Sequence, residues 1–408
     1  MNYFNQKSLK TVVLRAILLP PLAILAFQAF AVEFQGKVSA ESLLFFQQPK
    51  HPEQKNKYFS ATIEPEFYHA INDNQEINAK LFYRYDAQST SRTHVDVREL
   101  MLNYYAEDWE FNLGIGKVFW GTTESRNLVD TINQVDWVES LDNEARLGQP
   151  MVQGKLIKDW GTLDLFVLPY FREMDFLGAE ARPRINPVVA KDKVIYQSKS
   201  GEKQVDFALR WGQSYADLDI GLSTFHGTQR MPILTPKVSN GQVELVPVYV
   251  QTRQYGLDSQ YILGDMLLKL ELLARDSHQA DFSKKQSFAG VAGFEYTFVG
   301  LFNSAIDLGL IAEYMYDDWQ SLTPFQNDWM TGLRLVLNDQ QSSELLIGNI
   351  FDLDDGSQLW SLEASRRIGD NWKLELTGRW LTNVGNDHSW YQVYKQDDLV
   401  SLRGVYYF

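Results

Sequence analysis

The chain alternates. Between 109 and 117, Trp109, Phe111, Leu113 and Ile115 are apolar, while Glu110, Asn112, Gly114 and Gly116 between them are polar or small. Successive strand side chains point to opposite faces, so a period of two predicts strands with one apolar and one polar face. The pattern returns where Ile77, Ala79, Leu81, Tyr83 and Tyr85 interleave with Asn78, Lys80, Phe82 and Arg84, and again over 205–212, 266–275 and 372–380. Eighteen strands are expected, at 33–48, 57–70, 76–87, 93–106, 109–119, 150–158, 162–172, 202–212, 216–226, 249–263, 265–277, 285–299, 303–316, 327–338, 342–352, 357–368, 371–382 and 396–408. No long 3.6-residue period competes. The segment 93–106 changes phase between Val97 and Leu100, which predicts a β-bulge. The segment 342–352 is apolar on both faces, so its register stays open.

The connections alternate too. Every second one is short, such as Asn72-Asp73-Asn74, Gln213-Ser214, Gly264-Asp265 and Gly369-Asp370. The long ones, 120–149, 173–201, 227–248, 317–326 and 383–395, all fall at the other end of the strands. Long loops at one end only, with an even strand count, are the pattern of an outer-membrane barrel with short periplasmic turns. Backbone groups in lipid must all be paired, so spanning strands must close on themselves. The expected fold is all-β: a transmembrane, antiparallel, up-and-down barrel of about eighteen strands, with sixteen as the alternative. Many of the 11 Trp sit near predicted strand ends, with Trp109, Trp160, Trp211 and Trp372 at the short-turn end and Trp120, Trp329, Trp360 and Trp380 at the other. Interfacial girdles would place them there.

The first residues differ from the rest. Lys7, Lys10 and Arg15 precede an apolar run from Ala16 to Phe27, and Ala29-Phe30-Ala31 follows as a small-x-small site. This is the layout of a secretory signal peptide. Cleavage after Ala31 gives a signal of 1–31 and a barrel domain of 32–408. It takes the net charge from −14 to −17. The first strand begins within a few residues of that site, so no N-terminal plug or passenger domain is expected. A mean hydropathy of −0.29 fits strands with one lipid face and one wet face better than membrane helices. The absence of cysteine removes disulfides, thiolate metal sites and thiol nucleophiles. The acidic balance argues against a nucleic-acid partner.

The chain ends with Val400, Leu402, Tyr406 and Phe408 on one face around Gly404, and Ser401 and Arg403 on the other. This resembles the C-terminal strand signature of Gram-negative outer-membrane proteins. The resemblance implies an outer-membrane location. It makes Tyr406 and Phe408 an assembly signal read by the barrel-assembly machinery, and membrane lipid and lipopolysaccharide the surroundings. The run Gly116 to Gly121 (GKVFWG), followed by Asn127, Asp130 and Asp136, resembles a group of porin-like barrels. These carry a Gly-(Arg/Lys)-x-x-x-Trp-Gly element and an Asn-Pro-Val-Asp-like stretch. Here Asn133-Gln134-Val135-Asp136 stands in place of the latter, without the proline, and the resemblance names no substrate.

A barrel of this size has an aqueous lumen. The polar faces put charges of both signs on its wall, among them Glu64, Glu66, Arg84, Arg210, Arg275, Arg334, Arg379 and Arg403. Such charges cost little only if water reaches them. The candidate constriction is loop 120–149, which carries Glu124, Asp130, Asp136, Glu139, Asp142 and Glu144 against Arg126 and Arg146. Loop 173–201 carries Arg182, Arg184, Lys191, Lys193 and Lys199 against Glu173, Asp175, Glu180 and Asp192; if the two loops face each other they would set a transverse field. The expected function is passive passage of small hydrophilic solutes; monomer and homo-oligomer both stay open. The competing class is a barrel enzyme or a component of an export or assembly system. No Ser or Asp spacing singles out a catalytic partner for His51, His69, His94, His226, His278 or His388. Asp352, Asp354, Asp355 and Gly356 read as a hairpin turn rather than a calcium loop. Neither an enzyme nor a cofactor or metal site is expected.

Overall fold

The computed structural model describes residues 32–140, 144–239, 241–319, 323–385 and 389–408. The expected signal peptide and Asp142 lie outside these residues. The first barrel strands are β1 (Val32–Phe45), β2 (Lys57–Asn72), β3 (Gln75–Asp86), β4 (His94–Tyr105), β5 (Trp109–Gly116), β6 (Gln149–Lys158) and β7 (Gly161–Leu168). After the short β8 (Ile195–Tyr196) come β9 (Asp206–Tyr215), β10 (Leu218–Thr228), β11 (Ile233–Ser239) and β12 (Gln242–Tyr249). The remainder are β13 (Gln251–Leu263), β14 (Met266–His278), β15 (Lys284–Phe298), β16 (Asp307–Asp317), β17 (Asn327–Val336), β18 (Glu344–Asp352), β19 (Gln358–Ile368), β20 (Trp372–Thr382) and β21 (Leu399–Tyr407).

Eighteen of these form one antiparallel sheet in chain order, and β1 pairs with β21 to close it. The eighteen-strand expectation holds and the sixteen-strand alternative does not. Predicted and observed spans agree to within a few residues for most strands; the strand expected at 202–212 is shifted to Asp206–Tyr215. Three strands were not expected. β8, β11 and β12 form a separate small sheet among the long loops. Pro236 in β11 and Pro247 in β12 disguised it, because proline argues against a strand in sequence. The helix α1 (Ser389–Tyr394) likewise lies within a predicted loop.

The apolar faces point outward. Val38, Ile63, Leu81, Leu113, Leu165, Leu209, Leu222, Leu333, Leu376 and Leu402 are all exposed on the outer surface. A belt of exposed aliphatics around a closed barrel is untenable in water and natural in hydrocarbon. The protein is therefore a membrane-spanning barrel of the outer-membrane type. The phase change in the fourth strand is a bulge: Lys80 pairs with Glu99 and Leu81 with Val97, leaving Arg98 over. Trp109, Trp160, Trp329 and Trp372 are half exposed on the outside, and Trp360 and Trp380 stack in parallel 6.2 Å apart. Trp120 departs from the expected girdle. It is buried inside the barrel, because the chain has already left the wall when it reaches that residue.

The seam is made by the last residues. The Gly36 and Phe408 backbones exchange two hydrogen bonds of 3.0 Å. The Phe408 ring lies 5.6 Å from Phe34, and Tyr406 lies 5.0 Å from Trp372. Ala40 faces Gly404 across this seam. In a chain with no native cysteine, Ala40→Cys with Gly404→Cys is expected to oxidise to one intramolecular disulfide. The crosslinked barrel should keep compact mobility on a gel after heating in detergent; failure to crosslink would contradict the closed seam.

Candidate pore constriction

Loop 117–148 begins where β5 stops. Val118 and Trp120 turn one way; Lys117 and Phe119 turn the other and are exposed. Val118 and Trp120, with Val129 and Ile132, sink into an apolar patch of the inner wall built from Met101, Met151, Phe166, Leu168, Ala208 and Phe225. Leu128 enters a second patch of Leu273, Val291, Ile311, Met315 and Met330. Leu346 and Ile350 pack against that patch, which accounts for the strand that reads apolar on both faces. The loop is thus seated inside the barrel by ordinary hydrophobic burial.

Two carboxylates of the wall pin it. Glu271 of β14 is fully buried. Its Oε1 accepts from the Thr122 and Thr123 N–H groups at 2.7 and 3.1 Å and from Thr123 Oγ1 at 2.9 Å. Its Oε2 accepts from the Leu128 and Val129 N–H groups at 2.6 and 3.3 Å. Glu313 of β16 accepts from the Glu124 and Ser125 N–H groups, both at 2.8 Å, and from Ser125 Oγ at 2.5 Å. Backbone N–H groups curled around a carboxylate are the usual way to hold an anion without a cation. Gly121 makes the approach feasible. Its φ is +139°, and a Cβ there would lie 2.4 Å from Asn127 Oδ1 and 2.9 Å from Glu271 Oε1.

The charged residues of the loop meet wall partners on opposite sides. Glu124 pairs with Arg334 at 2.8 Å, and Arg126 with Asp317 at 2.9 Å. On the other side Asp136 pairs with Arg98 and Glu139 with Arg84, each at 2.6 Å, and His94 lies 3.5 Å from Glu139. Asp130 and Arg146 pair within the loop at 2.9 Å, and Glu144 is exposed. The loop therefore runs from β3 and β4 across to β14, β16 and β17. Burial pushes the Asp130 carboxyl up to about 6 despite Arg146 beside it.

The cations of loop 169–205 do not face these acids. Arg182 is fully buried against Asp397, the Gln47 carbonyl and Asn56, above the Phe45 ring. Arg184 pairs with Glu53, Lys191 with Asp175 and Lys193 with Glu244. The expected transverse field between the two loops is absent from these pairings. The loops meet instead through Val135 and Trp137 against Met174, Phe176 and Val189. The apolar undersides of both loops were the available signal in sequence, and counting charges passed over them.

The wall charges lie in complementary pairs: Lys37 with Glu64 at 3.1 Å, Arg210 with Asp258 at 2.7 Å, Arg275 with Asp317 at 2.9 Å, and Arg379 with Glu363 at 2.5 Å. Glu66 pairs with Lys80, Arg334 also reaches Glu295 at 3.0 Å, and Arg403 lies 3.9 Å from Glu64 and 3.7 Å from Glu375. Asp352 accepts from the Asp354 and Asp355 N–H groups, as a turn requires. Among the described residues no three His, Asp or Glu are grouped to hold a metal ion.

No protein-family model matches the chain, and no curated protein matches its sequence. Solved outer-membrane proteins match in structure. A loop-L8 deletion mutant of OmpT, an outer membrane protein of Vibrio cholerae, is 11% identical, with 93% of this chain and 100% of that chain covered and a TM-score of 0.48. OmpT itself in trimer form is 10% identical over 93% and 99% of the two chains, with a TM-score of 0.44. A double mutant of Rh. blastica porin is 9% identical over 92% and 100%, also with a TM-score of 0.44.

Two outcomes test the seating of the loops. Glu271→Ala leaves buried N–H groups without an acceptor, at ~1–3 kcal/mol each. Proteolysis within 117–148 should accelerate in the folded variant while the barrel itself survives; an unchanged cleavage rate would contradict the latch. The second concerns Glu180, which ties loop 169–205 to the loop after β3. Burial raises its carboxyl, but hydrogen bonds from the Ser91 N–H, the Ser89 and Thr90 hydroxyls and its own backbone outweigh this and hold it down to about 2. A carboxyl lowered on folding stabilises above its ordinary range of about 4.5 and loses that contribution as pH falls towards 2. Hydrogen exchange around Glu180 should rise over that window and flatten in Glu180→Gln.

Proposed function

We propose that the protein is a porin-like outer-membrane channel for small hydrophilic solutes, with loop 117–148 as its constriction. The observation that supports this reading most is the state of the wall charges. Lys37, Glu66, Lys80, Lys155, Lys373, Glu375 and Arg403 are inward, paired and still partly solvent-accessible. A dry interior would hold them only at a large desolvation cost, whereas a wet one does not. A loop that crosses the lumen from wall to wall narrows the path, and the paired charges leave polar surfaces of both signs for a hydrated solute to slide along. Transport is passive: the reading needs no energy input and no covalent chemistry.

Planar bilayers test it. Discrete conductance steps are expected from the refolded mature barrel, and Glu271→Ala should increase step size or noise by freeing the loop. Neutralising Glu124, Asp136 and Glu139 together should shift the reversal potential in a salt gradient. A non-conducting barrel that hydrolyses an ester or peptide bond would favour the enzyme reading.

A further inference from the structure

The bulge in β4 has put two consecutive residues into the lumen. Arg98 points up to Asp136 of the loop, while Glu99 lies level with inward-facing Lys80 on β3. On the other side, Leu100 is opposite Ile115, so the chain beyond β5 passes close to Glu99 as it leaves the wall. The next residue after β5 is Lys117, on the side of the loop away from its apolar seat, with Phe119 beside it, 65% exposed. The nearby wall charges are paired: Lys80 to Glu66, Lys37 to Glu64 and Arg98 to Asp96. Lys117 and Glu99 make no ion pair within 4.0 Å and no hydrogen bond among the described residues. An ammonium and a carboxylate that feel each other's charge without a direct contact thus stand with an apolar ring at the root of the constriction.

We propose that Lys117, Glu99 and Phe119 form a solute-binding site for zwitterionic amino acids with an apolar side chain. Lys117 takes the carboxylate, Glu99 takes the ammonium, and Phe119 packs against the side chain. The two charges are of opposite sign and unpaired, so a zwitterion engages both, whereas a simple cation or anion satisfies one and meets the other as repulsion. Aromatic contact adds affinity for a ring. The charged groups facing Lys117 are Arg98, Asp96 and Glu99 of β4, Lys80 of β3 and Glu64 of β2. The side chain as a whole keeps solvent contact, but desolvation of its ammonium, then the charges of Arg98 and Lys80, bring it down to about 8. Binding through it should therefore weaken as pH rises through that value.

The inference rests on the wet lumen of the channel reading, so its test must not depend on conduction. Saturation-transfer NMR on the full mature barrel in detergent micelles would measure binding of L-phenylalanine, 3-phenylpropionate, 2-phenylethylamine and glycine. Phenylalanine is expected to bind about tenfold more tightly than any of the other three. Lys117→Gln and Glu99→Gln should each lose about that factor, Lys117→Arg should keep the binding and remove the weakening centred near pH 8, leaving only the loss at higher pH from the ligand's own ammonium, and Phe119→Ala should bring phenylalanine to the level of glycine. Heat-modifiable gel mobility verifies that each variant is folded. Equal binding of phenylpropionate and phenylalanine, or phenylalanine binding unchanged in both Gln variants, overturns the proposal. Absence of conductance with the binding pattern intact would overturn the channel and leave the site.

Discussion

Everything in this molecule depends on the closure of one hydrogen-bond ladder. In hydrocarbon there is no water to satisfy an open edge, so the first strand must find the last. The seam between β1 and β21 does this over Lys37–Phe45, and the terminal Phe408 extends it by two backbone hydrogen bonds to Gly36. Once the ladder is closed, alternation decides the rest. One parity of every strand faces lipid and the other faces a cavity, and the cavity must be filled by water or by chain.

In this barrel, chain fills part of the cavity. Where the inner parity is polar, many of its charges are paired, and some, such as Lys37 with Glu64 and Lys80 with Glu66, stay partly accessible. Where it is apolar, as at Phe166, Phe225, Leu273, Val291 and Met315, loop 117–148 covers it. The same loop brings backbone N–H groups to Glu271 and Glu313, two carboxylates that would otherwise be costly to bury. The wall and loop are thus complementary: apolar patches and bare carboxylates on one, apolar side chains and bare N–H groups on the other. The loop is seated by apolar clusters and by hydrogen bonds to these two carboxylates together.

The long-loop end is organised by a second set of contacts. Buried Arg182 gathers Asp397, Gln47 and Asn56 from loops far apart in sequence, and Glu180 gathers the Ser89–Ser91 segment. These interactions draw loop 169–205 towards the mouth and bring Met174 and Phe176 against Val135 and Trp137. Charge in these loops serves local pairing rather than a field across the lumen.

The strands, their faces, the bulge near Arg98 and the long-loop end were legible in sequence, because they follow from a period of two and from connection length. Neither needs knowledge of what lies across the barrel. The small sheet of β8, β11 and β12 was not legible, since Pro236 and Pro247 speak against strands and only neighbouring loops make the pairing worthwhile. Nor were the partners of the loop charges. Glu271 meets Thr122 and Leu128 across about 150 positions of chain, and Arg98 meets Asp136 only after the barrel has closed. Periodicity is a local property and survives reading one residue after another. Which acid meets which base across a lumen is set by curvature, register and strand number, and these exist only once the sheet has joined its own ends.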